Sequence, residues 1–138
     1  MFKKIMVPVD LRHIERLGRA LQAAADLARL YSASVCYVSV TTSEPNEFGH
    51  TPQEAARHFA DWGQAEAERR GHAADTRMVV SHDPTVELDK ALIDTIDTLG
   101  ADLVVMATHM PNVADYIWAS HGGTLAMHSC ASVMLLRG

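Results

Sequence analysis

Five short apolar runs alternate along the chain with four stretches of helical periodicity, and this alternation limits the fold more than any single motif does. The runs are Lys3–Val9 (KKIMVPV), Ser34–Val40 (SVCYVSV), Thr76–Ser81 (TRMVVS), Asp102–Ala107 (DLVVMA) and Ser132–Leu136 (SVMLL). Their length and β-branched content suit buried strands. Between the first two, Leu17, Ala20, Leu21, Ala24, Leu27, Ala28 and Tyr31 fall on one helical face. After the polar stretch Thr41–His50, Thr51-Pro52-Gln53-Glu54 offers a cap, a proline for the first helical position and a glutamate able to close a capping box. That helix is expected from Pro52 to about Arg70, with Gly71 as its stop. Asp83-Pro84 repeats the start signal for a third helix with its face at Leu88, Ala91, Leu92, Thr95, Ile96 and Leu99, stopped by Gly100. A last, short helix is expected over Ser120–Ser129.

Strands of nearly continuous apolar character that alternate with helices belong in a parallel sheet covered on both faces. The expected fold is therefore α/β: a single-domain, doubly wound, five-stranded parallel sheet, spanning residues 1–138 in the order β-α-β-α-β-α-β-α-β. With 138 residues, 48% of them hydrophobic, the chain supports one sizeable core. In such sheets ligands sit beyond the carboxyl ends of the strands, where the winding reverses. Pro8-Val9-Asp10, Val40-Thr41 and Ala107-Thr108-His109 should meet there.

Several classes are disfavoured. A net charge of −5 opposes the phosphate contacts that dominate nucleic-acid affinity. No run reaches the ~18 apolar residues of a membrane span, and Pro8 and Asp10 follow Met1-Phe2-Lys3-Lys4 where a secretory segment would be apolar, so a cytoplasmic location is expected. Cys36 and Cys130 form no CxxC and read as buried, reduced thiols. The histidines make no metal-ligand motif: His13, His50, His58 and His72 read as solvent-facing. The sequence has no GxSxG elbow, Walker A motif or GxGxxG.

KKIMVPVD, SVCYVSV, SHDP, ADLVVMATH and SHGGTLAMHSCASVMLLR together resemble the universal stress proteins over essentially the whole chain. The resemblance implies a Rossmann-like, adenine-nucleotide-α-hydrolase-like fold, a homodimer joined through the C-terminal strand, and binding of ATP or AMP, with or without Mg2+. In the family's nucleotide-binding form a glycine follows the fourth strand, another lies three residues on, and Gly-Ser or Gly-Thr comes about nine residues later. Here those places resemble Ala107, Met110 and Ala119-Ser120, with a spacing one residue shorter. Glycine matters there because it admits φ > 0 and lets amides approach a phosphate unobstructed. His109-Met110-Pro111-Asn112 is similar to the His-x-Pro-Asp loop of a short-loop, nucleotide-binding subgroup.

The site implied by the resemblance comprises Pro8, Val9, Asp10, Val40, Ala107, His109, Met110, Ala119, Ser120, His121 and Gly122. Asp10 would accept hydrogen bonds from the ribose or adenine side, and it would equally serve as a helix cap. The N–H groups of His121, Gly122 and Gly123 are the open donors of a helix start, which favour an anion. The same residues are also those of an ordinary serine cap. Gly122 and Gly123 cost the helix roughly 1–2 kcal/mol relative to alanine. Phosphate held there would order the 109–121 loop and alter the face offered to a protein partner of unknown identity. Two alternatives stay open: a nucleotide-independent dimeric interaction module, and a slow ATPase or a protein that phosphorylates itself, on Ser120.

Overall fold

The structure is a computed structural model that describes residues 1–108 and 122–137. Strand β1 (Lys4–Pro8) leads through a 3-10 segment (Leu11–Arg16) to helix α1 (Gly18–Tyr31). There follow β2 (Ser34–Thr41), α2 (Pro52–Arg70), β3 (Ala74–Val80), α3 (Pro84–Leu99), β4 (Leu103–Thr108), α4 (Gly122–His128) and β5 (Ser132–Arg137). The strands form one parallel sheet in the order β3-β2-β1-β4-β5. The chain therefore winds outward from β1 to β3, crosses back, and winds the other way through β4 and β5. This is the doubly wound α/β architecture expected, with its reversal between β1 and β4.

Period-two alternation divides the core into two layers. Ile5 and Val7 of β1 and Val9 just beyond it, with Val35 and Tyr37 of β2, pack under Leu17, Leu21 and Ala24 of the α1 region and Phe59 of α2. Met6, Cys36, Val38, Val104 and Met106 face the other way, against Leu88, Leu92 and Ile96 of α3 and Leu125 of α4. Small residues set the close approaches. Ala20, Ala24, Ala25 and Ala28 are buried on α1, and a Cβ added at Gly63 of α2 would lie 2.3 Å from Thr76 Cγ2 on β3.

Local signals act largely as expected. Thr51 Oγ1 accepts from Glu54 N at 3.1 Å, Pro52 opens α2, and Gly71 closes it at φ 78°. The reciprocal half of the capping box differs: Glu54 Oε2 accepts from His50 N at 3.4 Å, one residue before the cap. The first helix also differs. Asp10 caps the 3-10 segment and not α1, which starts only at Gly18 after Leu17. β3 begins at Ala74, two residues before the apolar run, because pairing of Ala74 with Val35 and Asp75 with Cys36 draws polar residues into the ladder. Cys36 is buried as expected, whereas Cys130, on the turn before β5, is exposed. Of the last helix, Gly122 onward is described; its expected start at Ser120 and His121 lies outside the described residues.

Candidate functional site

The carboxyl edge of the sheet opens where β1 and β4 part. Those strands pair at Ile5–Leu103 and Met6–Val104 and, among the described residues, no further along, while β1 stays paired with β2 as far as Pro8–Val38. Continuing the β1–β4 register sets Val9 level with Ala107 and Asp10 level with Thr108. A crevice at the reversal of winding is the place where open α/β sheets bind ligands.

On the β2 side the edge is closed. Val9 N donates to Val38 O at 2.7 Å, and Ser39 Oγ, itself buried, donates to Val9 O at 2.8 Å. Pro8 and Val9 are buried and Val40 is half-buried. Thr41 O accepts from Ser81 N at 2.8 Å, and Thr41 Oγ1 accepts from Asn46 Nδ2 at 3.0 Å. Asn46 and Gly49 exchange backbone hydrogen bonds, which folds the loop after β2 into a tight turn. An exposed ion pair, Arg12 Nε to Glu47 Oε1 at 3.1 Å, links that loop to the 3-10 segment.

Asp10 occupies the tip of β1. Its Oδ1 accepts from Arg12 N at 3.1 Å, and its Oδ2 lies 2.9 Å from His13 Nδ1. Both carboxylate oxygens thus have partners within the segment they cap. The pair is sheltered: the side chains of Asp10 and His13 are 16% and 23% exposed. His13 is consequently part of this edge and not the free surface histidine that its polar surroundings in the sequence suggested. The signal available was its position three residues after Asp10, within reach across one turn. His72 also departs from that reading, since its Nε2 lies 3.2 Å from the Tyr37 hydroxyl. His58 Nδ1 lies 2.9 Å from Phe48 O, although the residue is exposed, as is His50.

Sequence reasoning also passed over Arg16, which ends the 3-10 segment. Its Nη1 is buried with no hydrogen-bond partner among the described residues. On β4, Ala107 is half-buried and pairs with Leu136 of β5, and Thr108 pairs with Arg137. His109, Met110, Ala119, Ser120 and His121 lie outside the described residues. Gly122 opens α4, and at Gly123 an added Cβ would meet no atom within 4 Å, so packing does not demand glycine there.

Elsewhere the chemistry is quiet. Among the described residues no group of three or more His, Cys, Asp or Glu is placed to hold a metal ion, and no helix is long and apolar enough to cross a membrane. An open groove of about 490 Å3 runs along β3, lined by Lys4, Cys36, Asp75, Arg77 and Leu99 among others, but it lies toward the amino ends of the strands. Burial pushes the Cys36 thiol upward, against the opposing charges of Lys4 and Arg77, so the thiolate is disfavoured.

A family model described as the universal stress protein family matches residues 1–137. Universal stress protein G of Salmonella typhimurium is 24% identical over 143 residues, covering 99% of this chain and all of that protein. A universal stress protein solved in complex with cAMP superposes with a TM-score of 0.71 at 18% identity, covering 98% of this chain and 97% of the other. That of Archaeoglobus fulgidus in complex with dAMP gives 0.67 at 20% identity, covering 96% of each. The structural likenesses establish a shared fold, and the match along the full length establishes kinship: the chain belongs to the universal stress protein family.

Proposed function

We propose that this chain binds an adenine nucleotide, AMP or ATP with or without Mg2+, at the carboxyl edge between β1 and β4 and acts as a regulatory module in a stress response. The observation that carries the reading is the parting of β1 from β4 beside Asp10, at the reversal of winding, in a family with members solved in complex with cAMP and dAMP. Asp10, Val40 and Ala107 would border the nucleoside, and the start of α4 at Gly122 would face the phosphate. Bound nucleotide would change the surface that this edge offers to a protein partner. A homodimer through β5 and a cytoplasmic location complete the reading.

Calorimetric titration tests it. Saturable heat with about one AMP or ATP per chain, absent with GTP at the same concentration, is the expected result. Flat heats with AMP, ATP and Mg-ATP would refute it. They would favour the second reading, a nucleotide-independent dimeric module. Two observations support that module: both Asp10 oxygens already have partners, and the sequence positions that resemble the family's glycine places carry Ala107, Met110 and Ala119 instead.

A further inference from the structure

Resting on the nucleotide reading, we propose that the buried hydroxyl of Ser39 is a positioning group of the binding edge: by occupying Val9 O it ends the β1–β2 ladder one bond early and keeps the Val40 peptide group open to the nucleoside. The direction of the peptide groups along β2 is fixed by two hydrogen bonds. Val38 O accepts from Val9 N, on the β1 side, whereas Thr41 O accepts from Ser81 N, on the β3 side. Successive residues of a strand turn their peptide groups to opposite neighbours, so Val40, two residues after Val38, turns its N–H and C=O toward β1. In a continued ladder Val40 N would donate to Val9 O. Among the described residues that bond is not made, and Val9 O accepts from Ser39 Oγ at 2.8 Å instead.

The surroundings fit that role. Beyond Val9 the chain leaves the sheet for the 3-10 segment that Asp10 caps, so no strand residue follows on the β1 side of Val40. Ser39 is 2% exposed, on the face of β2 that carries Val35 and Tyr37 into the core. An apolar residue is the ordinary choice there, and a buried hydroxyl is accounted for by the carbonyl it satisfies. Val40 is half-buried, and its neighbour across the ladder, Val9, stands level with Ala107 at the crevice. A peptide group so placed needs a partner from outside the ladder. A ligand edge that carries an acceptor beside a donor completes both of its bonds. Removing the Ser39 hydroxyl would return Val9 O to Val40 N and close the ladder by one bond, taking that peptide group from the ligand.

The experiment combines AMP and adenosine titrations of the full chain and of Ser39→Ala with amide hydrogen exchange at Val38 and Val40, followed by NMR. In the unliganded parent the Val40 amide should exchange at least about tenfold faster than that of Val38, which lies within the ladder, and saturating AMP should slow it by a similar factor. In Ser39→Ala the unliganded Val40 amide should exchange at least about tenfold slower than in the parent, and AMP and adenosine should both bind about tenfold more weakly. A hydroxyl that served only to satisfy Val9 O would give the opposite sign, with exchange at this edge unchanged or faster once it is removed. Val40 exchange as slow as that of Val38 in the unliganded parent, exchange in Ser39→Ala no slower than in the parent, or undiminished AMP affinity in Ser39→Ala would each overturn the assignment while leaving the nucleotide reading intact. A parent chain that takes up neither AMP nor ATP would overturn both.

Discussion

At the scale of single residues, charge is placed for stability away from the crevice. Burial draws the Glu66 carboxyl upward, but hydrogen bonds from Arg69 and Arg70, reinforced by their charges, outweigh it and hold the group below its ordinary value of 4.5. A carboxyl depressed in the folded state stabilises the fold fully above its unfolded value and loses that contribution as pH falls through the folded value. Glu66→Gln should therefore lower stability at neutral pH by roughly 1 kcal/mol, with the difference from the parent shrinking as pH falls below the ordinary carboxyl value and vanishing once it passes the depressed folded value, in urea unfolding series. Tyr37 is pushed up to about 12, by burial and then by Glu66, so its hydroxyl keeps its proton at neutral pH where it lies 3.2 Å from His72 Nε2. Asp10 was legible as a cap because capping is local chemistry. The pairing with His13 was less so, because two polar residues in a polar stretch look the same whether they meet or face water.

At the scale of elements, local punctuation survived folding and ladder ends did not. Pro52, Gly71, Pro84 and Gly100 mark helix boundaries in the structure where they do in the sequence, since proline geometry and left-handed glycine act within a residue or two. The start of β3 was hidden because Ala74 and Asp75 are strand residues only by virtue of their partners Val35 and Cys36. The 3-10 segment was hidden because an apolar face beginning at Leu17 says nothing about the turn before it. The α2–β3 contact provides a test of packing. A Cβ at residue 63 would lie 2.3 Å from Thr76 Cγ2 and 3.2 Å from Tyr37 Cδ2, and a β-branched threonine against a buried ring has little room to yield. Gly63→Ala should destabilise by about 1–3 kcal/mol despite alanine's better helix propensity, and adding Thr76→Ser, which leaves a smaller group there, should return part of the loss. A single variant as stable as the parent would show that α2 moves away from the sheet freely.

At the scale of the molecule, the two sheet edges differ. β3 carries exposed Asp75 and Arg77, charges that discourage strand addition. β5 exposes Met134 and Leu135 at 36% and 48%, on opposite faces of an edge strand with no charge before Arg137. An apolar, uncharged edge is suited to a second copy, and light scattering should give about twice the 15.1 kDa chain mass, falling to one chain in Leu135→Asp. A Leu135→Asp protein that keeps the parent's mass would place any dimer elsewhere. The fold was legible at this scale because the alternation of runs fixes a doubly wound sheet, and the sheet in turn fixes the position of its crevice. Nucleotide binding at this crevice is tested residue by residue by an AMP titration of the 15N-labelled chain followed by NMR. Saturable shifts are expected at Val9, Asp10, Ala107, Thr108 and Gly123, with Lys4, Asp75 and Asp102 at the opposite edge unmoved. Shifts confined to that opposite edge, or none at all, would contradict it.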